Sequence, residues 1–192
     1  MNRLPKGYRL MESLDFVRNR KQMTAVCVLS LVLTAGMIVL GLMMKPISVT
    51  WSFMKTHFWT LPVLVGMHFA YILLHELVHG VFMRLFSKQK VRYGFQGCFA
   101  YAGSTAFFSV FQHNFVALAP LVIWGIVLFV LERTLPDGWF WMLFSVQIAN
   151  VSGAAGDLYC VYRALSYPRG TLIQDTGVRM RVFAPHVKEE KV

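Results

Sequence analysis

Four stretches of the chain are long enough and apolar enough to cross a lipid bilayer as helices. The first has 22 consecutive residues without a charge, which at 1.5 Å per residue gives about 33 Å, against about 30 Å for a hydrocarbon core. The sequence therefore predicts an all-α polytopic membrane protein with one membrane domain, residues 1–192, and four transmembrane helices. The predicted segments are a leader (1–22), four spans (23–44, 61–86, 115–131 and 139–165), a segment between the second and third spans (87–113) and a tail (166–192).

Three segments outside the spans have patterns of their own. In the segment 87–113, between helices 2 and 3, the residues from Lys90 to Tyr101 alternate and carry glycines, which predicts a short β-hairpin. Residues 102–113 have no formal charge apart from a possible charge on His113, which makes them a candidate re-entrant segment. The tail, from Thr171 to Phe183, predicts a second hairpin. In the leader, Leu10, Leu14 and Val17 recur at helical spacing among basic residues, which predicts a helix lying on the membrane surface.

Composition and charge agree with a membrane location. The chain is 56% hydrophobic and 15% charged, whereas soluble domains carry about 25% charged residues, so a soluble enzyme is excluded. Lys and Arg number 6, 2, 4, 1 and 6 in the five successive segments outside the spans, when Arg84 and Arg163, near the ends of their spans, are counted with the segments that follow them. This alternation predicts a multi-pass protein of the cell membrane with both termini cytoplasmic. The net charge of +10 thus reflects orientation in a lipid bilayer, and no nucleic-acid partner is expected. The predicted outer boundary carries four tryptophans, as aromatic belts do: Trp51, Trp59, Trp139 and Trp141.

The second span contains the motif His75-Glu76-Leu77-Val78-His79. On a helix, residues i and i+4 share a face, so His75 and His79 can bind one Zn²⁺, and Glu76 can reach a water on that metal and act as its base. A shuffled chain of this composition would contain HExxH roughly 0.005 times, so the motif is fairly specific. The alternative is a buried hydrogen-bond network that only holds helices together.

A catalytic zinc site needs a third protein ligand. Asp157 is the one acidic residue inside any other predicted span, and it lies at a similar depth to His79, about 9 Å from the cytoplasmic end of its span against about 13 Å. We therefore predict Asp157 as the third ligand. A salt bridge from Asp157 to Arg163 or Arg84 is the alternative.

Asn150 lies seven residues before Asp157, on the same helix face. Its amide is a candidate for stabilising an oxyanion or orienting substrate, and a packing hydrogen bond is nearly as well supported. His68 is predicted to support the site or the fold. The remaining histidines are predicted to be solvated or interfacial, and they are His57, His113 and His186. The three cysteines are predicted to be structural, and they are Cys27, Cys98 and Cys160.

With HELVHG on one span and NVSGAAGD on a later one, the chain resembles the site-2 protease group of intramembrane zinc metalloproteases. It looks closest to a family of small putative zincin peptidases with the same layout. The resemblance implies that His75, His79 and Asp157 bind zinc, that Glu76 is the catalytic base and that Asn150 is the asparagine ahead of the aspartate. The larger group usually has an Asn-Pro…Leu-Asp-Gly pattern, whereas this chain has no proline between Asn150 and Asp157.

These features predict an intramembrane zinc metalloprotease that cleaves a membrane protein or peptide near the cytoplasmic face, with Zn²⁺ as cofactor. A non-proteolytic metal-binding membrane protein is the alternative, either an inactive protease relative acting as a scaffold or a metal transporter. A di-iron oxygenase is disfavoured because it normally needs about eight His ligands and the chain has six His. Substrate identity and oligomeric state stay open.

Overall fold

The computed structural model describes residues 3–96 and 99–185. Most of these residues are helical, and short strands separate the helices. The helices are α1 (Arg20–Met44), α2 (Ser48–Thr56), α3 (Thr60–Ser87), α4 (Val110–Thr134), α5 (Phe140–Gly153) and α6 (Ala155–Ala164). The strands are β1 (Tyr8–Leu14), β2 (Val91–Gln96), β3 (Phe99–Ser104), β4 (Phe108–Ser109), β5 (Leu172–Asp175) and β6 (Met180–Pro185).

In the part of the chain that the structure describes, three helices are long and apolar enough to cross a membrane. They are α1, α3 and α4, with 25, 28 and 25 residues, or about 37 to 42 Å at 1.5 Å per residue. They contain the first three predicted spans, and their ends lie at most five residues beyond the predicted ones. Their length and composition are those of a membrane protein.

The fourth predicted span, 139–165, is not one continuous helix. It consists of a 3₁₀ turn, Asp137–Trp139, followed by α5 with 14 residues and α6 with 10. The break falls at Ala154, within the run of small residues where glycines weaken a helix. The number of four crossings is therefore not confirmed, since neither helix is long enough alone.

The described residues are mostly helical, as predicted, but they also form two antiparallel sheets, so the fold is not purely α-helical. One is the β2–β3 hairpin, which confirms the hairpin expected between the second and third spans and pairs Tyr93 with Ala102. Gly97 and Cys98, which lie between the two strands in the sequence, are outside the described residues. Residues 102–113, the candidate re-entrant part, form the end of β3, then β4 and the first turn of α4, which Ser109 caps.

The second sheet joins the two ends of the chain, in the order β1-β6-β5-β4. The predicted C-terminal hairpin is confirmed as β5 and β6. The predicted surface helix in the leader is wrong, since Tyr8–Leu14 is β1 and pairs with β6. Residues four apart share a face in a regular strand as well as in a helix, so the spacing of Leu10 and Leu14 in the sequence does not distinguish the two. In the structure a bulge between Leu10 and Glu12 interrupts the alternation of β1.

The four-stranded sheet packs against α6 and holds it in place. A buried apolar cluster joins them, formed by Leu14, Cys160, Ala164, Ile173, Met180 and Val182. At the cluster's edge, Glu12 of β1 accepts hydrogen bonds from Arg163 at 2.5 Å and from the Tyr167 hydroxyl at 2.8 Å. Both ends of the chain thus fix the helix that carries Asp157.

Aromatic residues cluster at the opposite end of the bundle, where the sequence predicts the outer boundary. The rings of Trp59 and Trp139 lie 5.8 Å apart, and Phe53 lies 5.7 Å from Trp139. The indole Nε1 of Trp141 donates to the carbonyl of Lys45 at 3.1 Å. Indole rings that combine apolar packing with a hydrogen bond suit a membrane–water interface.

An ion pair between the leader and the tail gives a pH-dependent prediction. Asp15 accepts two hydrogen bonds from Arg179, at 3.0 and 2.8 Å, and one from the Arg18 N–H. Burial raises the pKa of Asp15, but these hydrogen bonds and the Arg179 charge outweigh it, so the pKa is lowered. A carboxyl whose pKa is lower in the folded state stabilises the protein at pH values above its unfolded-state pKa, which is about 3.9. This stabilisation is lost as the pH falls through the folded-state pKa.

We therefore expect Asp15→Asn to lower the melting temperature by about 1–4 °C at neutral pH, since a surface pair contributes about 0.2–1 kcal/mol. Thermal unfolding in detergent at several pH values measures this difference. The two melting temperatures should converge only below about pH 3.9. Equal melting temperatures at pH 7, or a gap that persists at the lowest pH, would contradict the role of this pair.

Candidate metal centre

Two helices bring together three side chains of the types that bind metals, and this candidate set is called the metal-binding group. His75 and His79 lie one turn apart on α3, both buried, with their Nε2 atoms 3.2 Å apart. Asp157, in the first turn of α6, places Oδ2 3.7 Å from Nε2 of His75 and 3.6 Å from Nε2 of His79. The positive end of the α6 dipole favours a carboxylate at this position.

These distances fit a zinc ion. Ligand atoms at about 2.0–2.1 Å from a tetrahedral zinc lie about 3.3–3.4 Å apart. The three observed separations, 3.2, 3.6 and 3.7 Å, are close to that spacing. The donor set of two imidazoles and one carboxylate is one that zinc uses in catalytic sites.

The hydrogen bonds of the two imidazoles strengthen the fit. Nδ1 of His79 lies 3.0 Å from the carbonyl of Val116, to which it must donate. Nδ1 of His75 lies 2.8 Å from the Tyr71 hydroxyl, which itself donates to Asn150. Since Nδ1 holds the proton in each neutral ring, both Nε2 atoms direct lone pairs at each other across 3.2 Å. Such a contact is unfavourable unless a cation lies between the rings.

Glu76 lies beside the metal-binding group without belonging to it. It follows His75 on α3, is half-buried and lines the same cavity. The backbone of Ala102 in β3 lies beside its carboxylate. A carboxylate next to a metal site, but outside the ligand set, is available to accept a proton.

The ionic partners of Asp157 are the two histidines. Arg163, an alternative partner suggested by the sequence, instead pairs with Glu12. Arg84, the other alternative, is exposed on α3. The geometry thus favours the metal-binding interpretation of Asp157 over a salt bridge to arginine.

Asn150 lies next to this group rather than in it. It is fully buried in α5, where its Oδ1 accepts from Tyr71 at 3.1 Å and its Nδ2 donates to the carbonyl of Leu121 at 3.1 Å. It is absent from the described residues that line the cavity. These contacts support the alternative that Asn150 makes a packing hydrogen bond. They also connect Asn150 to His75 through the Tyr71 hydroxyl.

The other histidines occupy different environments. His68 is half-buried and bonds to the carbonyl of Leu64, which suits a structural role. His57, also half-buried, stacks on Phe53. The prediction of a solvated or interfacial His113 is wrong, because it is only 3% exposed. His186 lies outside the described residues.

His113 faces an acidic partner in the cavity that contains the metal-binding group. Its Nε2 lies 3.7 Å from Oδ2 of Asp175, at the end of β5. The pair was not recognised from sequence because Asp175 reaches α4 only through the fold of the tail. Tyr71 was also missed, although it precedes His75 by one helical turn and its position could have been found from that spacing.

A cavity of about 410 Å³ surrounds the metal-binding group. The helices α3, α4 and α6 form its walls, and Gly153 and Gly156 leave space beside Asp157. The leader contributes Phe16 and Val17. The β5–β6 hairpin contributes Gly177 to Met180, so the tail forms part of the cavity wall.

The turn of this hairpin packs directly on β3. A Cβ on Gly103 would fall 2.1 Å from the carbonyl oxygen of Thr176, and one on Gly177 would fall 2.9 Å from that of Ala102. Gly177 also adopts a φ of +81°, which favours glycine. The two backbones therefore meet without side chains between them, next to Glu76.

Comparison with known protein families agrees with this geometry. The model of the family described as "Putative zincin peptidase" matches residues 68–172, more than half of the chain, so the chain belongs to that family. The matched range includes the HExxH motif, Asn150 and Asp157. The family implies a zinc-dependent metallopeptidase. No curated protein and no solved structure matches the chain significantly.

Proposed function

We propose that the protein is a site-2-protease-like intramembrane metalloendopeptidase that hydrolyses a peptide bond of a membrane-embedded substrate near the cytoplasmic face. The observation that carries this proposal is the convergence of His75, His79 and Asp157 at zinc-like spacing, with Glu76 beside them. The two histidines and Glu76 lie on α3, a helix long and apolar enough to cross a membrane. Membership of a zincin family supports the peptidase chemistry.

In this proposal, three side chains bind the metal and a fourth transfers the proton. His75, His79 and Asp157 would hold Zn²⁺, which when bound supplies Lewis-acid polarisation of the scissile carbonyl and lowers the pKa of a bound water. Glu76 accepts a proton from the attacking water as the new carbon–oxygen bond forms. It then donates that proton to the leaving amine as the carbon–nitrogen bond breaks.

The substrate is proposed to be a membrane protein or peptide that unwinds locally. A helix hides its peptide bonds in its own hydrogen bonds, so helix-breaking residues near the cut should favour cleavage. An unwound segment can add to a strand edge, as expected from sequence near Val91 to Phe95. The cavity wall includes Ala100 to Ala102, which favours the β3 side of this hairpin.

The membrane topology is also a proposal. The helices α5 and α6 together cover 25 residues, Phe140 to Ala164, enough to cross the bilayer as a broken fourth helix. With four crossings, the distribution of Lys and Arg orients both termini towards the cytoplasm of a cell-membrane protein. Lipid is then the main partner, and no nucleic acid is expected.

Cleavage of a defined membrane peptide tests the proposal. The purified protein in proteoliposomes would receive two transmembrane peptides of equal length, one with a central Gly-Pro pair and one with Leu-Leu at those positions. We expect cleavage of the Gly-Pro peptide, its loss after zinc chelation and its return with added Zn²⁺, all followed by mass spectrometry. Stable zinc binding without cleavage of any membrane peptide would favour the non-proteolytic alternative.

A further inference from the structure

A chain of hydrogen bonds links one metal-binding histidine to the cores of two other helices. It runs from His75 to the Tyr71 hydroxyl at 2.8 Å, from Tyr71 to Asn150 at 3.1 Å and from Asn150 to the carbonyl of Leu121 at 3.1 Å. Three elements take part, namely α3, α5 and α4. Its three side chains are at least nine-tenths buried, at 8%, 8% and 0% exposure.

The direction of every hydrogen bond follows from its last member. The Leu121 carbonyl can only accept, so the group facing it is the amide NH₂ of Asn150, and Oδ1 faces Tyr71. The Tyr71 hydroxyl has one proton and donates it to Oδ1. It must then accept from Nδ1 of His75, which leaves the Nε2 lone pair directed at Asp157 and His79.

Asn150 is not placed to touch a substrate. It is fully buried, each of its amide groups has a partner, and it is not among the described residues lining the cavity. Gly125 of α4 packs against it, since a Cβ there would fall 3.6 Å from Nδ2. Because Asn150 is fully buried and does not line the cavity, an oxyanion there would not contact this amide unless the side chain moved.

We propose that Tyr71 and Asn150 are positioning residues that act in series on His75, holding the tautomer and ring orientation that zinc binding needs. Asn150 orients the Tyr71 hydroxyl, and Tyr71 orients the imidazole. This inference rests on the metal site of the proposed function, and it assigns Asn150 a role different from oxyanion stabilisation. Partners of this kind typically change metal affinity by about 10–100-fold when removed.

Zinc affinity of the full-length protein in detergent, measured by competition with a chromophoric chelator, tests this proposal. The variants are Tyr71→Phe, Asn150→Leu, the double variant and Tyr162→Phe, which removes the hydroxyl of an exposed tyrosine on α6. We expect each of the first two to weaken zinc binding by about 10–100-fold, and Tyr162→Phe to leave it unchanged. Residues acting in series should not be additive, so the double variant should bind about as weakly as the weaker single variant.

Three results would overturn the proposal. Unchanged zinc affinity in Tyr71→Phe would show that the Tyr71 hydroxyl does not position His75 for zinc binding. Multiplied losses in the double variant would show independent roles. Lower turnover by Asn150→Leu at unchanged zinc affinity would show that Asn150 acts on the substrate rather than on His75. Tyr71→Phe is nearly isosteric, so it decides the matter even if Asn150→Leu fails to fold. A wild-type protein that binds no zinc would instead refute the proposed function.

Discussion

Glu76→Gln should abolish peptide hydrolysis while leaving zinc binding intact. The amide keeps the size of the side chain and can still lie beside Ala102, but it cannot accept the proton of the attacking water. Because a general base contributes about 10²–10⁴-fold, cleavage of the Gly-Pro membrane peptide should fall by that factor. Initial rates in proteoliposomes and zinc content per chain, measured on the same preparation, give both numbers.

The matched control is Glu132→Gln, which makes the same chemical change at a buried glutamate near the end of α4. It should retain cleavage. If Glu76→Gln cleaves at the wild-type rate, another group must be the base. If it loses zinc as well as activity, Glu76 belongs to the ligand set rather than to the proton transfer.

Asp157→Ala should remove zinc from the protein at concentrations that saturate the wild type. It eliminates one of three donor atoms and leaves two neutral imidazoles facing each other. We expect zinc affinity to fall by more than about 100-fold, because losing a residue behind a ligand already costs about 10–100-fold. Chelator competition and metal analysis after gel filtration measure the loss, and peptide cleavage should disappear with it.

Asp175→Ala is the control for this experiment. Asp175 also lines the cavity, but its ionic partner is His113 rather than the two histidines of α3. The variant should keep wild-type zinc affinity. Equal zinc binding by wild type and Asp157→Ala would exclude Asp157 as a ligand.

The first three spans could be predicted because a membrane helix is defined by local sequence. About 20 apolar residues in a row meet the requirement of the bilayer without reference to the rest of the chain. The fourth span has the same composition, but its small residues, from Ser152 to Gly156, allow the break between α5 and α6. After the break, α6 packs against the four-stranded sheet, a contact that composition does not reveal.

The four-stranded sheet was predicted only in part for a related reason. The tail hairpin is local, with turn residues between two alternating stretches, and it was found. The pairing of β1 with β6 joins residues about 170 positions apart, such as Leu10 and Phe183. Without its partner strand, the leader shows only a spacing of four and basic residues, which resemble a surface helix.

In the candidate site, too, the features set by local sequence could be predicted and the contacts between distant segments could not. HExxH is a local motif, and Asp157 stood out as an acid in an apolar span, so the three side chains were named before the fold was known. The hydrogen bond from Tyr71 to Asn150 joins two helices, and the pair of His113 and Asp175 joins α4 to the tail. Such contacts between distant segments require the three-dimensional structure.

Anomalous diffraction at the zinc edge from crystals of the wild-type protein tests the metal centre most directly. We predict one peak per chain, about 2.0–2.2 Å from Nε2 of His75, Nε2 of His79 and a carboxylate oxygen of Asp157. A crystal grown with zinc that shows no such peak, or an Asp157 carboxylate far from both imidazoles, would contradict the metallopeptidase assignment.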